Sequence, residues 1–492
     1  MDDGTPPPSL LSTASMSLSI LVRAAGAPFV AGALVVALGA SGCALDPDVA
    51  SLTTPLPARF RNASSAAPGW PSDGWWRTFA STELDRLVRT ARTSNLDAAA
   101  AQARLEQADA RIKVASQPLI PGLSASSDAG QSYRGGLGAG GRARTLSIGL
   151  STSYELDFWG KNLSRRRSAE AGAAASEFDL ATIGITTDAS VANTYFQAVA
   201  LRQQIAIARE NLASAQRILE AVQARVRFGT ASNLDEAQQE SLVDNVRAAI
   251  PGLEIQLEQT LYALAVLLGQ TPGSLRLATT SLNSLHIPRV RAGLPSGLIE
   301  RRPDIARAEA QLAAARFDIQ FAKAQLLPSI QLTGQGGFQS AALRSLLDPA
   351  GQFYQIAAGV TQPILDAYGL QGEVEVSQGR FRELLADYHR TVLVALQEVE
   401  SALVAYAKTA EQEMLQAKAV ESSQRAYDIS VEQLRAGIID RTTLLNTEQT
   451  LFSAQNALVG ARLARFQSVV DLVRALGGGF ERGPGLDVAR VP

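Results

Sequence analysis

The sequence predicts a mainly α-helical protein with a small β part whose strands are long enough to cross a bilayer. Three observations predict it. First, the chain of 492 residues says nearly the same thing twice, about 208 residues apart. Leu119-Ile-Pro-Gly-Leu-Ser-Ala returns as Leu326-Leu-Pro-Ser-Ile-Gln-Leu, and Tyr154-Glu-Leu-Asp-Phe-Trp-Gly-Lys returns in weaker form as Pro363-Ile-Leu-Asp-Ala-Tyr-Gly-Leu. Arg225-Val-Arg-Phe-Gly returns as Glu432-Gln-Leu-Arg-Ala-Gly, and Leu267-Leu-Gly-Gln as Ala475-Leu-Gly-Gly-Gly. A period that long is no solenoid unit and marks duplication of a whole half. Second, each half holds a pair of short segments that alternate polar and apolar residues. Third, each pair is followed by a helical stretch of roughly 100 Å at about 1.5 Å per residue.

Composition narrows the function. The 45 basic and 47 acidic residues nearly cancel, which leaves no electrostatic footprint for nucleic acid. The two histidines, His286 and His389, stand in unrelated contexts. Metal clusters and Ser–His or Cys–His nucleophiles are thereby close to excluded, so neither an enzyme nor a cofactor is expected. The single cysteine, Cys43, rules out an intrachain disulfide. Before it, Arg23 leads an apolar, small-residue run from Ala27 to Ala40, then Ser41-Gly42-Cys43. A basic region, an apolar region and a small-residue cleavage site describe a secretory signal, here residues 1–42. The small residues before Cys43 resemble a bacterial lipobox, although Ala40 stands where that motif usually has Leu. The resemblance implies diacylglycerol and a fatty acyl chain on Cys43, and Ala44 in place of Asp implies sorting to the outer membrane. An ordinary signal peptide with an incidental cysteine and a short membrane anchor remain open. Met16 is an alternative start.

Residues 44–70 are rich in Pro, Ser and Ala and read as an extended tether. Helical periodicity begins at Thr82 and runs as one helix to about residue 117, before Pro118 and Pro121. Two strands follow as a hairpin over 122–157. In the second, Leu146, Ile148, Leu150, Tyr154 and Leu156 alternate with Ser147, Gly149, Ser151, Ser153 and Glu155. From Lys161 to about Val226 there is no proline, and Gly172 and Gly184 are the only glycines. The apolar seam Ala198, Leu201, Ile205, Ala208, Leu212, Ala215, Leu219, Val222, Val226 steps by three and four, the spacing of a coiled coil. A partner helix follows from about 234 to 268, in which Pro251 is expected to form a kink or a break. A linker completes the first repeat at residue 300.

The second repeat spans 301–480. Pro303 suits the first turn of a helix that continues through Gln325. A hairpin over 329–365 sets Ile330, Leu332 and Phe338 against Gln331, Thr333, Gln335 and Gln339, then Tyr354, Ile356, Ala358, Val360 and Ile364 against Gln355 and Thr361. Long helices follow over 370–476. The first carries the seam Val392, Leu396, Val399, Leu403, Tyr406, Ala410, Ala417, Val420, Tyr427, Val431, Leu434, interrupted by Glu413 and Gln424. Its partner runs from about 442, and residues 481–492 form a flexible tail. Both hairpin linkers, 134–144 and 340–352, are rich in Gly, Ser and Ala.

Taken alone, each hairpin fits a soluble sheet covering a core. Four strands cannot close a barrel in lipid, however, because open edges leave backbone groups unpaired at several kcal/mol each. Single-chain barrels begin near eight strands. Three copies would supply about twelve, the smallest number giving a roomy pore, whereas two would give a narrow, side-chain-filled one.

At this point the residues resemble a known family, the TolC/OprM-type outer-membrane channels, in the NodT-like lipoprotein branch. The similarity covers roughly residues 43–480. It rests on Trp75-Trp76-Arg77, Tyr154-Glu155-Leu156-Asp157-Phe158-Trp159-Gly160, Leu327-Pro328-Ser329-Ile330, Arg435-Ala436-Gly437 and Ala475-Leu476-Gly477-Gly478-Gly479. Its most specific string is Leu294-Pro295-Ser296-Gly297-Leu298-Ile299-Glu300-Arg301-Arg302-Pro303-Asp304-Ile305. The resemblance implies a homotrimer whose twelve-stranded β-barrel in the outer membrane is continuous with a twelve-helix periplasmic α-barrel. An equatorial belt, to which residues 43–81 contribute, would girdle the tube. The far end would meet a periplasmic adaptor (membrane fusion) protein, coupled to an inner-membrane pump of the RND type. Solutes would pass by facilitated diffusion, without chemistry.

The family pattern places two turns at the periplasmic tip, at Gly229 and Gly437. Arg227, Phe228 and Arg435 flank them and are candidates for adaptor contact or plain surface charge. Family members narrow the pore with acidic residues beyond these turns. Asp235 occupies that place in the first half, as a gate residue or a solvated helix start, while Thr443 and Asn446 occupy it in the second. Arg301-Arg302-Pro303-Asp304 clusters charge, but Asp304 near a helix start is favourable against the helix dipole without chemistry. Two other functions share parts of this pattern: the outer-membrane duct of type I protein secretion, and a non-channel periplasmic coiled-coil scaffold.

Overall fold

The computed structural model describes residues 56–62, 69–134 and 141–483. Cys43, the signal region 1–42 and residues 484–492 lie outside the described residues. Strands β1 (Gly122–Arg134), β2 (Gly141–Leu156), β3 (Ser329–Ser340) and β4 (Gln352–Thr361) form one antiparallel sheet in the order β1-β2-β3-β4. They hold 13, 16, 12 and 10 residues, enough for the ~9–11 that a tilted strand needs to cross hydrocarbon. The two hairpins join through β2 and β3, with Tyr154 opposite Leu332 and Ile148 opposite Phe338. Ile364, which the alternation assigns to the last strand, lies past the end of β4 and is 80 % exposed.

Eight α-helices occur among the described residues: α1 (Thr82–Ser94), α2 (Leu96–Ser116), α3 (Lys161–Arg227), α4 (Asn233–Leu267), α5 (Pro295–Arg301), α6 (Pro303–Ala324), α7 (Ala367–Arg435) and α8 (Arg441–Ala475). The 67 residues of α3 and 69 of α7 each correspond to about 100 Å of helix. In each half one long helix is flanked by two shorter ones, α2 and α4 along α3, and α6 and α8 along α7. Helix α3 also packs against α6 and α8, which joins the halves. The α3 seam faces inward: Ala198, Leu201, Ile205, Ala208, Ala215 and Val222 are all buried.

Three local expectations need correction. The helix expected over 82–117 is two, because Asn95 leaves helical geometry between α1 and α2. Its Oδ1 accepts from the Ala98 N–H at 2.9 Å, capping α2. Its Nδ2 donates to the Leu267 carbonyl at 2.9 Å, satisfying a helix end that would otherwise be orphaned. Of the kink or break expected at Pro251, the break does not occur, since α4 runs on through it. Pro251, Gly252 and Arg247 are all exposed, so water can serve the Arg247 carbonyl that a proline leaves without its donor. The seam of α7 is not broken at Glu413, which is buried and bonded to Arg462 and Arg465 of α8, both at 2.6 Å. Gln424 points to the exposed side and donates to Asp428 at 2.9 Å.

The main cores sit along the middle of the long helices. In one, Trp76 and Phe79 pack with Tyr195 and Phe196 of α3 and Phe466 of α8. Ring centroids there are 4.9 Å apart for Phe79–Phe196 and 4.8 Å for Phe196–Phe466. In the other, Phe60, Leu298 and Ile305 pack with Tyr388, Val392 and Val399 of α7 and Leu476. Segments from near the start, the middle and the end of the described chain thus converge on one level. Arg302 pins that level. Its guanidinium forks onto both carboxylate oxygens of Asp304 (3.0 and 2.6 Å), donates to Glu398 of α7 at 2.7 Å, and reaches the Ala475 carbonyl at 3.0 Å. Gly477, Gly478 and Gly479 all take positive φ. A Cβ at Gly477 would run into the Arg301 carbonyl, so the glycine run and the Arg-Arg-Pro-Asp string fit one another. The charges that invite a catalytic interpretation are structural.

Candidate pore surfaces and tip turns

The sheet has two chemical faces because side chains alternate across a pleat. Following the register, Leu123, Ile148, Leu150, Leu332, Ile356 and Val360 share one face. Ser124, Ser151, Ser153, Thr333, Gln335 and Gln355 share the other and line a hollow of about 340 Å³. The polar face carries few charged positions, those of Asp128, Arg134 and Glu155, and Glu155 pairs with Lys161 at 2.5 Å. The apolar face is bare in the single chain, with Ile356 at 85 % and Val360 at 70 % exposure. Among the described residues neither β1 nor β4 has a partner on its outer edge. No described helix is long and apolar enough to cross a membrane.

At the opposite end of the long helices stand the two turns. Helix α3 ends with the Gly229 N–H on the Val226 carbonyl (2.9 Å) and the Thr230 N–H on the Arg225 carbonyl (2.9 Å). Helix α7 repeats this, with Gly437 on Leu434 (3.1 Å) and Ile438 on Gln433 (2.9 Å). These are Schellman terminations, which need a left-handed residue just past the helix. Gly229 and Gly437 supply it at φ 71° and 72°. Phe228 projects at 83 % exposure, and Arg227 and Arg435 are also exposed.

The helices that return from these turns are capped by the same two groups in exchanged order. In α4, Ser232 Oγ accepts from the Asp235 N–H at 3.2 Å, while Asp235 Oδ2 accepts from the Ser232 N–H at 2.9 Å and from its hydroxyl at 2.7 Å. This is a capping box. In α8 the carboxylate comes first: Asp440 Oδ1 accepts from the Thr443 N–H at 2.8 Å and from the Thr443 hydroxyl at 2.6 Å. These hydrogen bonds hold the Asp235 and Asp440 carboxyls below the usual range. Thr443 therefore serves as the hydroxyl of a cap, and Asn446 is exposed one turn further on. The period pairs Ser232 with Asp440 and Asp235 with Thr443, so the signal for Asp440 was present in the sequence, one helical turn ahead of Thr443 and nearly two ahead of Asn446.

The profile of the family described as "Outer membrane efflux protein" matches residues 87–270 and 294–478. The chain belongs to that family. It is 38% identical over 453 residues to the pyoverdine export outer membrane protein OpmQ of Pseudomonas aeruginosa, covering 90% of this chain and 95% of OpmQ. The structure of the outer-membrane channel OprN matches at a TM-score of 0.83 with 25% identity, over 89% of this chain and 99% of that one. The open state of the Neisseria gonorrhoeae MtrE outer membrane channel matches at 0.82 with 27% identity, again over 89% and 99%. This outer membrane efflux protein thus has the mainly helical fold with a small sheet expected from the TolC/OprM resemblance, and its location is the outer membrane.

Proposed function

We infer that three copies of the chain form one conduit, the exit duct of a tripartite efflux pump, through which small molecules leave the periplasm passively. The observation that carries this is a four-stranded sheet of bilayer length with one bare apolar face, one polar face and both edges open. Pairing β1 of one copy with β4 of the next satisfies the edges, turns the apolar face to lipid and encloses the Ser/Thr/Gln face as a lumen. The few charged positions on that face suit a duct with little cargo preference. OpmQ exports pyoverdine, which supports a small-molecule cargo here. The tip turns at Gly229 and Gly437, with Arg227, Phe228 and Arg435, then face a periplasmic adaptor coupled to an inner-membrane pump of the RND type. Asp235, with Thr443 and Asn446, lies where the tube narrows. Residues 1–42 act as signal, Cys43 carries the lipid, 44–81 lead into the belt, and 82–300 and 301–480 are the two repeats. The test is planar-bilayer conductance of the purified protein together with its oligomer mass. A conducting trimer is expected; a silent monomer rejects the reading.

A further inference from the structure

Two helical turns beyond the second tip turn, α8 buries a carboxylate that nothing bonds. Glu448 has 0 % exposure, and neither of its carboxylate oxygens has a hydrogen-bond partner. It lies on the buried stripe Leu444, Leu445, Glu448, Leu451. Leu445 in that stripe packs against Ala215 of α3 and against Leu242 and Val243 of α4. Arg441, two turns back on α8, directs its Nη2 to Gln239 Oε1, while Gln239 Nε2 donates to the Ala215 carbonyl at 3.0 Å. The Arg441 Nε has no acceptor. Arg225 of α3, Asp235 of α4 and Tyr427 of α7 act electrostatically on Arg441. The period places Glu240 at the matching point of α4, and it is exposed. Only the second half buries this acid.

An ionised carboxylate without donors in an apolar contact is costly, and such a group retains its proton instead. Burial raises the Glu448 pKa to about 7, with Arg441 offsetting part of the effect. Because Glu448 is fully enclosed by its own chain, no neighbouring copy can reach it without rearrangement. Once the proton leaves, the charge needs water or the Arg441 guanidinium. Water reaches it only if this end of α8 draws back from α3 and α4, where it is held by a small apolar cluster, and Arg441 is engaged by Gln239 of α4 as long as the two helices stay together.

We propose that Glu448 is a proton-operated latch on the periplasmic tip: protonated, it lets α8 pack against α3 and α4 and hold the tip closed, and ionised, it releases α8 and widens the passage. This rests on the duct reading above. The sign follows from linkage. The closed tip binds the proton more tightly, so acid favours closure. The open fraction rises as pH climbs from the ordinary glutamate value of 4.5 towards about 7, by up to about tenfold per pH unit, and levels off above.

The experiment is conductance of the full-length protein in planar bilayers from pH 5 to pH 8.5. The native protein is expected to open at least about tenfold more at the alkaline end. Glu448→Gln, a fixed mimic of the protonated acid, is expected to stay at the low acid level throughout. Arg441→Met removes the charge that favours ionisation and is expected to move the midpoint to higher pH. A flat native profile, or a Glu448→Gln profile like the native one, overturns the latch. If Glu448→Gln fails to assemble, the Arg441→Met midpoint decides: an upward shift supports the latch, and no shift overturns it. Silence at every pH overturns the duct and the latch together, whereas conduction without pH dependence overturns the latch alone.

Discussion

Glu413 shows how a charge sits inside a helical seam. Burial alone would raise its pKa, but hydrogen bonds from Arg465 and Arg462 outweigh it and hold the carboxyl below the usual range. Removing one partner of a buried ion pair leaves the other uncompensated, which costs about 3–5 kcal/mol when both are fully buried. Here the arginines are 23 % and 34 % exposed, so Glu413→Gln should cost about 2 kcal/mol, measured by denaturant unfolding. The depressed acid stabilises the fold above the ordinary glutamate range, and that contribution is lost as pH falls through its lowered pKa. Native and Glu413→Gln proteins should therefore converge in stability in strong acid. In the sequence Glu413 interrupts an apolar pattern. Its arginine partners lie about fifty residues away on another helix, beyond what local periodicity can register. Glu448 was invisible for the same reason: its solvation depends on what three other helices do.

At the scale of elements, the strands and long helices were legible because each has a strict period and a face to bury. The breaks were less so. Asn95 looks like a tolerable helix residue until the carbonyl of Leu267, far along the chain, requires its amide. Pro251 is a breaker by chemistry, yet an exposed position lets water replace the missing donor. The tip glycines were legible because only one backbone conformation ends a helix in that way. Gly437→Val should cost about 1–2 kcal/mol, since a β-branched side chain opposes left-handed geometry. The loss should appear as faster amide hydrogen exchange confined to residues around 434–443, and protection equal to the native protein would contradict the account. The exchanged caps at Ser232/Asp235 and Asp440/Thr443 each join a hydroxyl to a carboxylate at the start of a returning helix.

For the whole molecule, the duplication and the two hairpins of bilayer length were legible, whereas the convergence of distant segments on one level could not be read from periodicity. On the trimer reading, some pair of cysteines with one on β1 and one on β4, scanned along the two strands, should cross-link between copies into a ladder ending at the trimer, with no such ladder for a pair on one strand. Cys43→Ser should abolish fatty-acid labelling while leaving that ladder intact; a variant that still takes up labelled palmitate would refute lipidation at this residue. The unsatisfied rims of the sheet also bear on biogenesis. Ile356 and Tyr354, on the apolar face of the edge strand β4, lie largely in water until lipid covers them, and burying Ile356 alone is worth about 1.5–3 kcal/mol. A freshly exported chain is thus a hazard to itself: it can add strands to any stranger it meets. On the trimer reading, such a chain needs escort across the periplasm and inserts only once two other copies are at hand.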